Sequence, residues 1–184
     1  MAIKITGGLQ RGRLIKTPTQ YTSALRPTAS RVREALFNII GPDISGKTIL
    51  DLFAGVGTLG LEALSRHAKS VTFVEKDSRN VGLIRKNIIS LGFDNASFVF
   101  KGHLPKALSQ VKGNYEMVFL DPPYETDQEH NVLRDENFRR LLSPNALIII
   151  EQSKHSDMFK SDYYLIHRTH EIGDTRLTFL KLCL

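Results

Sequence analysis

Residues Phe119-Leu120-Asp121-Pro122-Pro123-Tyr124 set a carboxylate, two residues without a backbone N–H and an aromatic ring at the end of the apolar run Met117–Leu120. Such a set suits one demanding reaction, the alkylation of an exocyclic amine on a nucleobase. The amine is a poor nucleophile because its lone pair is delocalised into the ring. A site that activates it must accept hydrogen bonds from the NH2 group, which localises the lone pair and aims it. A carboxylate and a backbone carbonyl held rigidly together can do this, and proline fixes that backbone. Asp121 and the Pro122 carbonyl are the expected acceptors, and Pro123 stiffens the same turn. Tyr124 is the expected stacking surface for a base drawn out of its helix or loop. Taken without its neighbours, Asp-Pro-Pro also admits a plainer reading, a turn beside a surface tyrosine.

The neighbours change that reading. Residues 55–60, GVGTLG, match G-x-G-x-x-G after a strand-like run and ahead of a helical one. Dinucleotide binders share the motif, so Asp51, four residues before Gly55, decides. A carboxylate there repels a diphosphate and suits a ligand with a cationic amino-acid end. S-adenosylmethionine carries both an ammonium and a sulfonium, so charge favours it over NAD. Gly55 and Gly57 then permit close backbone approach. Glu75 closes the next strand 20 residues beyond Gly55, about the spacing at which an acid accepts hydrogen bonds from a ribose. Residues 41–48, GPDISGKT, match a second phosphate-binding pattern, G-x-x-x-x-G-K-[ST]. That loop requires a strand before it and a helix after it. Here the order is reversed, and the match is coincidental.

These residues need a scaffold, and the pattern around them supplies one. Residues 1–17 read as a small hairpin with glycine turns, and Pro27 opens a helix in which Val32, Leu36, Phe37 and Ile40 recur at helical spacing until Gly41-Pro42. Apolar strands (TILDLF, SVTFVEK, SFVFK, YEMVFL, ALIIIE) then alternate with helical stretches, including one near residues 105–111 and one near 129–142. Alternation of this kind predicts a doubly wound, mostly parallel sheet with its ligand at the carboxyl ends of the strands. The tail, YYLIHRTHEI and RLTFLKLCL about Gly173-Asp174, reads as a β-hairpin, so at least one strand runs antiparallel. The 184 residues are expected to form one domain, with a basic hairpin and helix over 1–41 and the ligand-binding core over 47–184.

Composition narrows the classes further. At 41% apolar and 24% charged the chain has the make-up of an ordinary globular protein, and no apolar run approaches a membrane span. The single Cys183 excludes an internal disulfide and fits a reducing cytoplasm. His67, His130, His155, His167 and His170 are scattered, so no metal site is expected. Residues 1–33 hold seven bases and no acid, while the chain as a whole carries +6, which leaves −1 for the remainder. A near-neutral body with a basic N-terminal region points to a polyanion, and Arg11, Arg13, Arg26, Arg31 and Arg33 are the candidate contacts. Not all of them can share one face, because Arg31 and Arg33 point apart on a helix.

The segments DLFAGVG and DPPY together resemble the amino-methyltransferases of the Rossmann-like class. RPTASRVREALFNII, upstream, resembles the RsmD family, which methylates the N2 amine of a guanine in small-subunit (16S) ribosomal RNA, and the likeness runs from GGLQRGR to GDTRLTFLKL. The resemblance implies a seven-stranded sheet with only the last strand antiparallel, S-adenosylmethionine as methyl donor, and ribosomal RNA or the small ribosomal subunit as partner. The enzyme is expected to be cytoplasmic, from its single cysteine, and a monomer is expected. Asp51, Gly55 and Gly57 would then face the methionine end of the cofactor and Glu75 its ribose, with Phe53, Lys76, His103 and Asp121 as further cofactor contacts. His103 stands where similar sequences usually carry an acid for the adenine amine. Two rivals stand beside this reading: a DNA adenine or cytosine amino-methyltransferase, and a non-catalytic RNA-binding assembly protein.

Overall fold

The structure is a computed structural model that describes residues 3–18, 27–123, 128–157 and 161–183. Its N-terminal segment forms the expected antiparallel hairpin, β1 (Ile3–Lys4) and β2 (Leu14–Ile15). Helix α1 (Pro27–Ile40) follows, opened by a proline whose missing N–H costs nothing in the first turn. It stops at Gly41-Pro42 as expected, with Gly41 at φ 58°, and the chain continues through a 3-10 turn, Gly41–Ile44.

Five strands then carry the parallel part of the sheet: β3 (Thr48–Leu52), β4 (Ser70–Glu75), β5 (Ser97–Lys101), β6 (Tyr115–Leu120) and β7 (Leu142–Ser153). Helices α2 (Thr58–Ser65) and α3 (Ser78–Leu91) make the first two crossovers. Strands β8 (Tyr164–Ile172) and β9 (Thr175–Leu182) form the terminal hairpin. The order is β5-β4-β3-β6-β7-β9-β8, and β9 alone runs against the rest. Successive side chains of a strand point to opposite faces, and both faces are covered. Ile49, Phe73 and Phe119 pack under α1, α2 and α3, while Leu52, Val118 and Leu120 pack with Leu108, Val132 and Phe138 on the other side.

Three sequence expectations need adjustment. The segment near Pro105–Val111 is a 3-10 turn, Lys106–Gln110, and not an α-helix. The helix expected over 129–142 is broken into α4 (Gln128–Arg134) and α5 (Glu136–Arg140). Asp135 takes extended backbone between them and caps α5, its carboxylate accepting from the N–H of Asn137 at 2.8 Å and Phe138 at 3.2 Å. Strand β7 also begins at Leu142, ahead of the apolar run, because Leu142 pairs with Tyr115 across an irregularity in register. The coincidental GPDISGKT loop lies at the amino end of β3, where Lys47 Nζ donates to Glu116 Oε1 at 2.9 Å.

The third glycine of GVGTLG, Gly60, brings α2 down onto β4. A Cβ there would lie 2.3 Å from Phe73 Cε1 and 2.8 Å from Val71 Cγ1, both fully buried. Alanine favours a helix over glycine by about 1 kcal/mol, but overpacking a core costs about 1–3 kcal/mol, and here the ring has nowhere to go. Gly60→Ala is therefore expected to lower the urea midpoint despite its better helix propensity; an unchanged or higher midpoint would contradict this packing.

Candidate active site

The strand order reverses between β3 and β6, and in open α/β sheets that crevice is where ligands bind. Leu52 pairs with Val74 and with Leu120, and Leu120 pairs with Ile150. The residues one step beyond this row (Phe53, Glu75, Asp121 and Glu151) therefore share the carboxyl edge of the sheet, with Asp51 just beneath.

The glycine loop is built by backbone conformation. Phe53 (φ 59°), Gly55 (φ 56°) and Gly57 (φ 84°) are all left-handed, an arrangement that favours glycine and strains a phenylalanine. The loop is tied down by carboxylates. Glu75 Oε2 accepts from the Gly55 N–H at 2.8 Å, and Glu75 Oε1 accepts from the Asp77 N–H at 2.8 Å. Asp51 Oδ2 accepts from the Gly60 N–H at 2.9 Å. A Cβ at Gly55 would come no nearer to any described residue than the Phe53 carbonyl at 4.0 Å, so among those residues space stays open on its outer side.

The electrostatics are those of clustered carboxylates, two of them desolvated. Asp51 is 1% exposed. Its loss of hydration raises its pKa to about 7; the Gly60 N–H opposes the rise and the Glu75 charge adds to it. Asp121 keeps part of its surface open, yet burial of its carboxyl group, then the charges of Glu151 and Asp51, push its pKa well above the ordinary carboxylate range. Repulsion between carboxylates of this sort is relieved by a cation or a shared proton.

The other expected residues fall in different places. Pro122 is buried and Pro123 exposed. Tyr124 and Arg26 lie outside the described residues. Lys76 is exposed at the rim. His103 is also exposed, and its carbonyl accepts from the Ala107 N–H at 2.8 Å, closing the 3-10 turn. Arg11, Arg13 and Arg31 are exposed. Arg33 is not: it is 7% exposed, its Nη2 donates to the Lys4 carbonyl at 3.1 Å, and its Nε lies 4.0 Å from Glu62. Burial lowers its pKa, against the charges of Glu62, Glu151 and Glu34. A guanidinium so enclosed cannot reach RNA, and Arg33 leaves the set of expected contacts for a structural place beneath the hairpin. Among the described residues, no group of three or more His, Cys, Asp or Glu could hold a metal ion, and no helix is long and apolar enough to cross a membrane.

Glu151 escaped the sequence reading, although a signal for it was present. FVE, FLD and IIE are each an apolar run closed by an acid, and all three acids come together at the sheet edge. Glu62 was missed as well, and nothing in its neighbourhood announces it.

A sheet of this order, with a left-handed glycine loop and acid-tipped strands at the switch point, is the Rossmann-like fold of the methyltransferases. The solved structure of the Escherichia coli protein yhhF superimposes on it with a TM-score of 0.81 at 33% identity, covering 99% of this chain and 98% of that one. Residues 3–181 match the family model described as conserved hypothetical protein 95. Ribosomal RNA small subunit methyltransferase D of Haemophilus influenzae is 36% identical over 177 residues, covering 93% of this chain and 89% of that protein. The enzyme of the same name from Escherichia coli K12 is 40% identical over 152 residues, or 81% and 74% of the two chains. The chain belongs to this family, that of the RsmD proteins.

Proposed function

We propose that the chain transfers the methyl group of S-adenosylmethionine to the N2 amine of a guanine in small-subunit ribosomal RNA, in the cytoplasm. The observation that carries this reading is the pairing of Asp121 with the glycine loop across the switch point between β3 and β6. The names of the relatives support the RNA substrate.

The residues present fit the cofactor. Asp51 is a desolvated carboxylate that gains from a cation, and Gly55 leaves room for close approach, whereas a Cβ at Gly57 would meet Ile84 and Phe73 at 3.3 Å, so that glycine serves the turn and its packing. Asp51, Phe53, Gly55 and Gly57 would hold the methionine end, Glu75 and Lys76 the ribose, and the backbone about His103 the adenine. Both Glu75 oxygens already accept one N–H each, and a carboxylate has lone pairs for more. The cofactor supplies a methyl group activated on a sulfonium. Asp121 and the Pro122 carbonyl accept hydrogen bonds from the guanine amine and orient its lone pair, Pro123 keeps the turn rigid, and Tyr124 stacks on the base. The raised pKa of Asp121 makes its carboxylate a better receiver of the proton that the amine gives up.

Mass mapping of methylated nucleosides in ribosomal RNA, from cells with and without the gene, tests the reading. Loss of one N2-methylguanine supports it; unchanged ribosomal RNA, or loss of a methylated base from DNA, overturns it.

A pH dependence follows. In the free protein Asp51 binds its proton up to about pH 7, whereas the unfolded chain releases it near 3.8. Stability from this group is therefore present below pH 3.8 and is lost as pH rises through about 7. An ammonium ligand binds the ionised form. Affinity for S-adenosylhomocysteine is expected to rise by up to about tenfold per pH unit below the Asp51 pKa and to level off above it. Calorimetry from pH 5.5 to 8.5 checks this, and a flat profile would remove Asp51 from contact with the amino-acid end.

A further inference from the structure

We infer that α3 and the N-terminal hairpin form one preformed surface for the sugar-phosphate backbone of the RNA, centred on Arg79, Lys86 and Arg13 and on the gap at Gly82. The inference rests on the RNA substrate proposed above and extends it to a helix that the sequence reading passed over.

Four observations carry it. The first is charge. Residues 3–18 and 78–91 together hold seven bases (Lys4, Arg11, Arg13, Lys16, Arg79, Arg85, Lys86) and no acid, which leaves −1 for all other residues of this +6 chain. Of the flanking acids, Asp77 precedes α3 and is engaged in its N-cap, accepting from the N–H of Arg79 at 2.8 Å and Asn80 at 3.0 Å. Asp94 lies beyond its end.

The second is rigidity. Arg13 Nη2 donates to the Ser90 carbonyl at 2.9 Å, and Gln10 Nε2 donates to the Leu91 carbonyl at 3.0 Å. The buried Asn87 accepts from the Lys16 N–H at 2.8 Å and donates to the Lys16 carbonyl at 3.1 Å. Hairpin and helix therefore present their cations as one body, with little ordering left to do on binding.

The third is the face. Val81, Ile84, Ile88 and Leu91 enter the core. Arg79, Gly82, Lys86 and Ile89 follow the i, i+3, i+7, i+10 spacing of the opposite side. Arg79, Lys86 and Ile89 are exposed there, and Leu14 is exposed on the adjoining strand β2. Such apolar side chains suit sugar and base faces between the phosphates.

The fourth is Gly82 itself. Mid-helix glycine costs about 1 kcal/mol against alanine, and it persists where a backbone must be closely approached. At Gly82 a Cβ would meet no atom of the described residues within 4 Å, and its φ is not left-handed, so neither packing among those residues nor conformation accounts for it. A ligand lying between Arg79 and Lys86 does.

The test uses the full-length protein and small-subunit ribosomal RNA transcribed in vitro, with binding followed by anisotropy from 50 to 200 mM salt. The variants are the double Arg79→Gln/Lys86→Gln, Gly82→Leu, and Arg85→Gln as a control, since Arg85 lies about 100° round the helix from Lys86. The double variant is expected to weaken binding and to reduce the salt slope by about 1 per lost cation. Gly82→Leu should melt at a higher temperature than wild type and yet bind RNA more weakly, a combination that damaged folding cannot produce. Arg85→Gln should bind as wild type does. Wild-type-like binding by the double variant and Gly82→Leu overturns this inference alone, as does an equal loss in Arg85→Gln, which would signify charge without a defined surface. A wild-type protein that binds no RNA overturns both this surface and the RNA substrate.

Discussion

Asp121→Ala is expected to lower the rate of methyl transfer by about 10²- to 10⁴-fold, the range over which a positioned proton acceptor acts. The loss should fall on kcat and on kcat/KM alike, because the carboxylate serves the amine as its charge changes and not the RNA at rest. Binding of RNA and of S-adenosylhomocysteine should persist. The same substitution should make the free protein more stable. Asp121 is desolvated and lies in the field of Glu151 and Asp51, so its removal relieves repulsion. Active sites commonly store destabilisation of this kind. Single-turnover kinetics and a thermal melt on one preparation check both halves. A variant that turns over at the wild-type rate would remove Asp121 from the chemistry.

Glu62→Ala is expected to cost about 3–5 kcal/mol, the range for breaking a buried ion pair from one side. Glu62 is fully buried and accepts from the Thr6 N–H (2.8 Å), the Thr6 hydroxyl (2.7 Å), the Gly7 N–H (2.8 Å) and Arg66 Nε (2.8 Å). Arg33 lies 4.0 Å away, and its Nε has no hydrogen-bond partner. Alanine would strand the buried Arg33 guanidinium, the half-buried one of Arg66 and three donors of the hairpin turn. For a domain of this size the melting temperature should fall by roughly 6–20 °C. Hydrogen exchange should quicken first at Thr6 and Gly7, and a melt within a degree or two of wild type would show that the hairpin is held by something else.

Much of this molecule was legible in one dimension, for identifiable reasons. The strands β3, β4 and β6 are short apolar runs buried on both faces, and such runs need no distant partner to be recognised. GVGTLG and Asp-Pro-Pro are local backbone devices, so order along the chain suffices to place them on the sheet. The terminal hairpin announced itself through alternation around Gly173-Asp174. What could not be read is what depends on contacts far apart in the chain. Arg33 looks like its neighbour Arg31 until Glu62, 29 residues on, closes over it. Glu62 in turn answers to Thr6 and Gly7, over 50 residues back. The split between α4 and α5 was within reach, since Asp135 precedes Glu136-Asn137 as an N-cap should. Helical periodicity on both sides concealed it.

Helix α2 is only two turns long, yet it serves two masters. Its first turn springs from the glycine loop and is fastened to Asp51 through Gly60; its last turn, through Glu62 and Ser65, holds the hairpin, with the Ser65 carbonyl accepting from the Leu9 N–H at 2.8 Å. An element shared in this way does not detach. Removing the hairpin would strip Glu62 and Ser65 of their partners on the very helix that shapes the ligand loop. The hairpin is thus a fixture of the core and not an appendage to it.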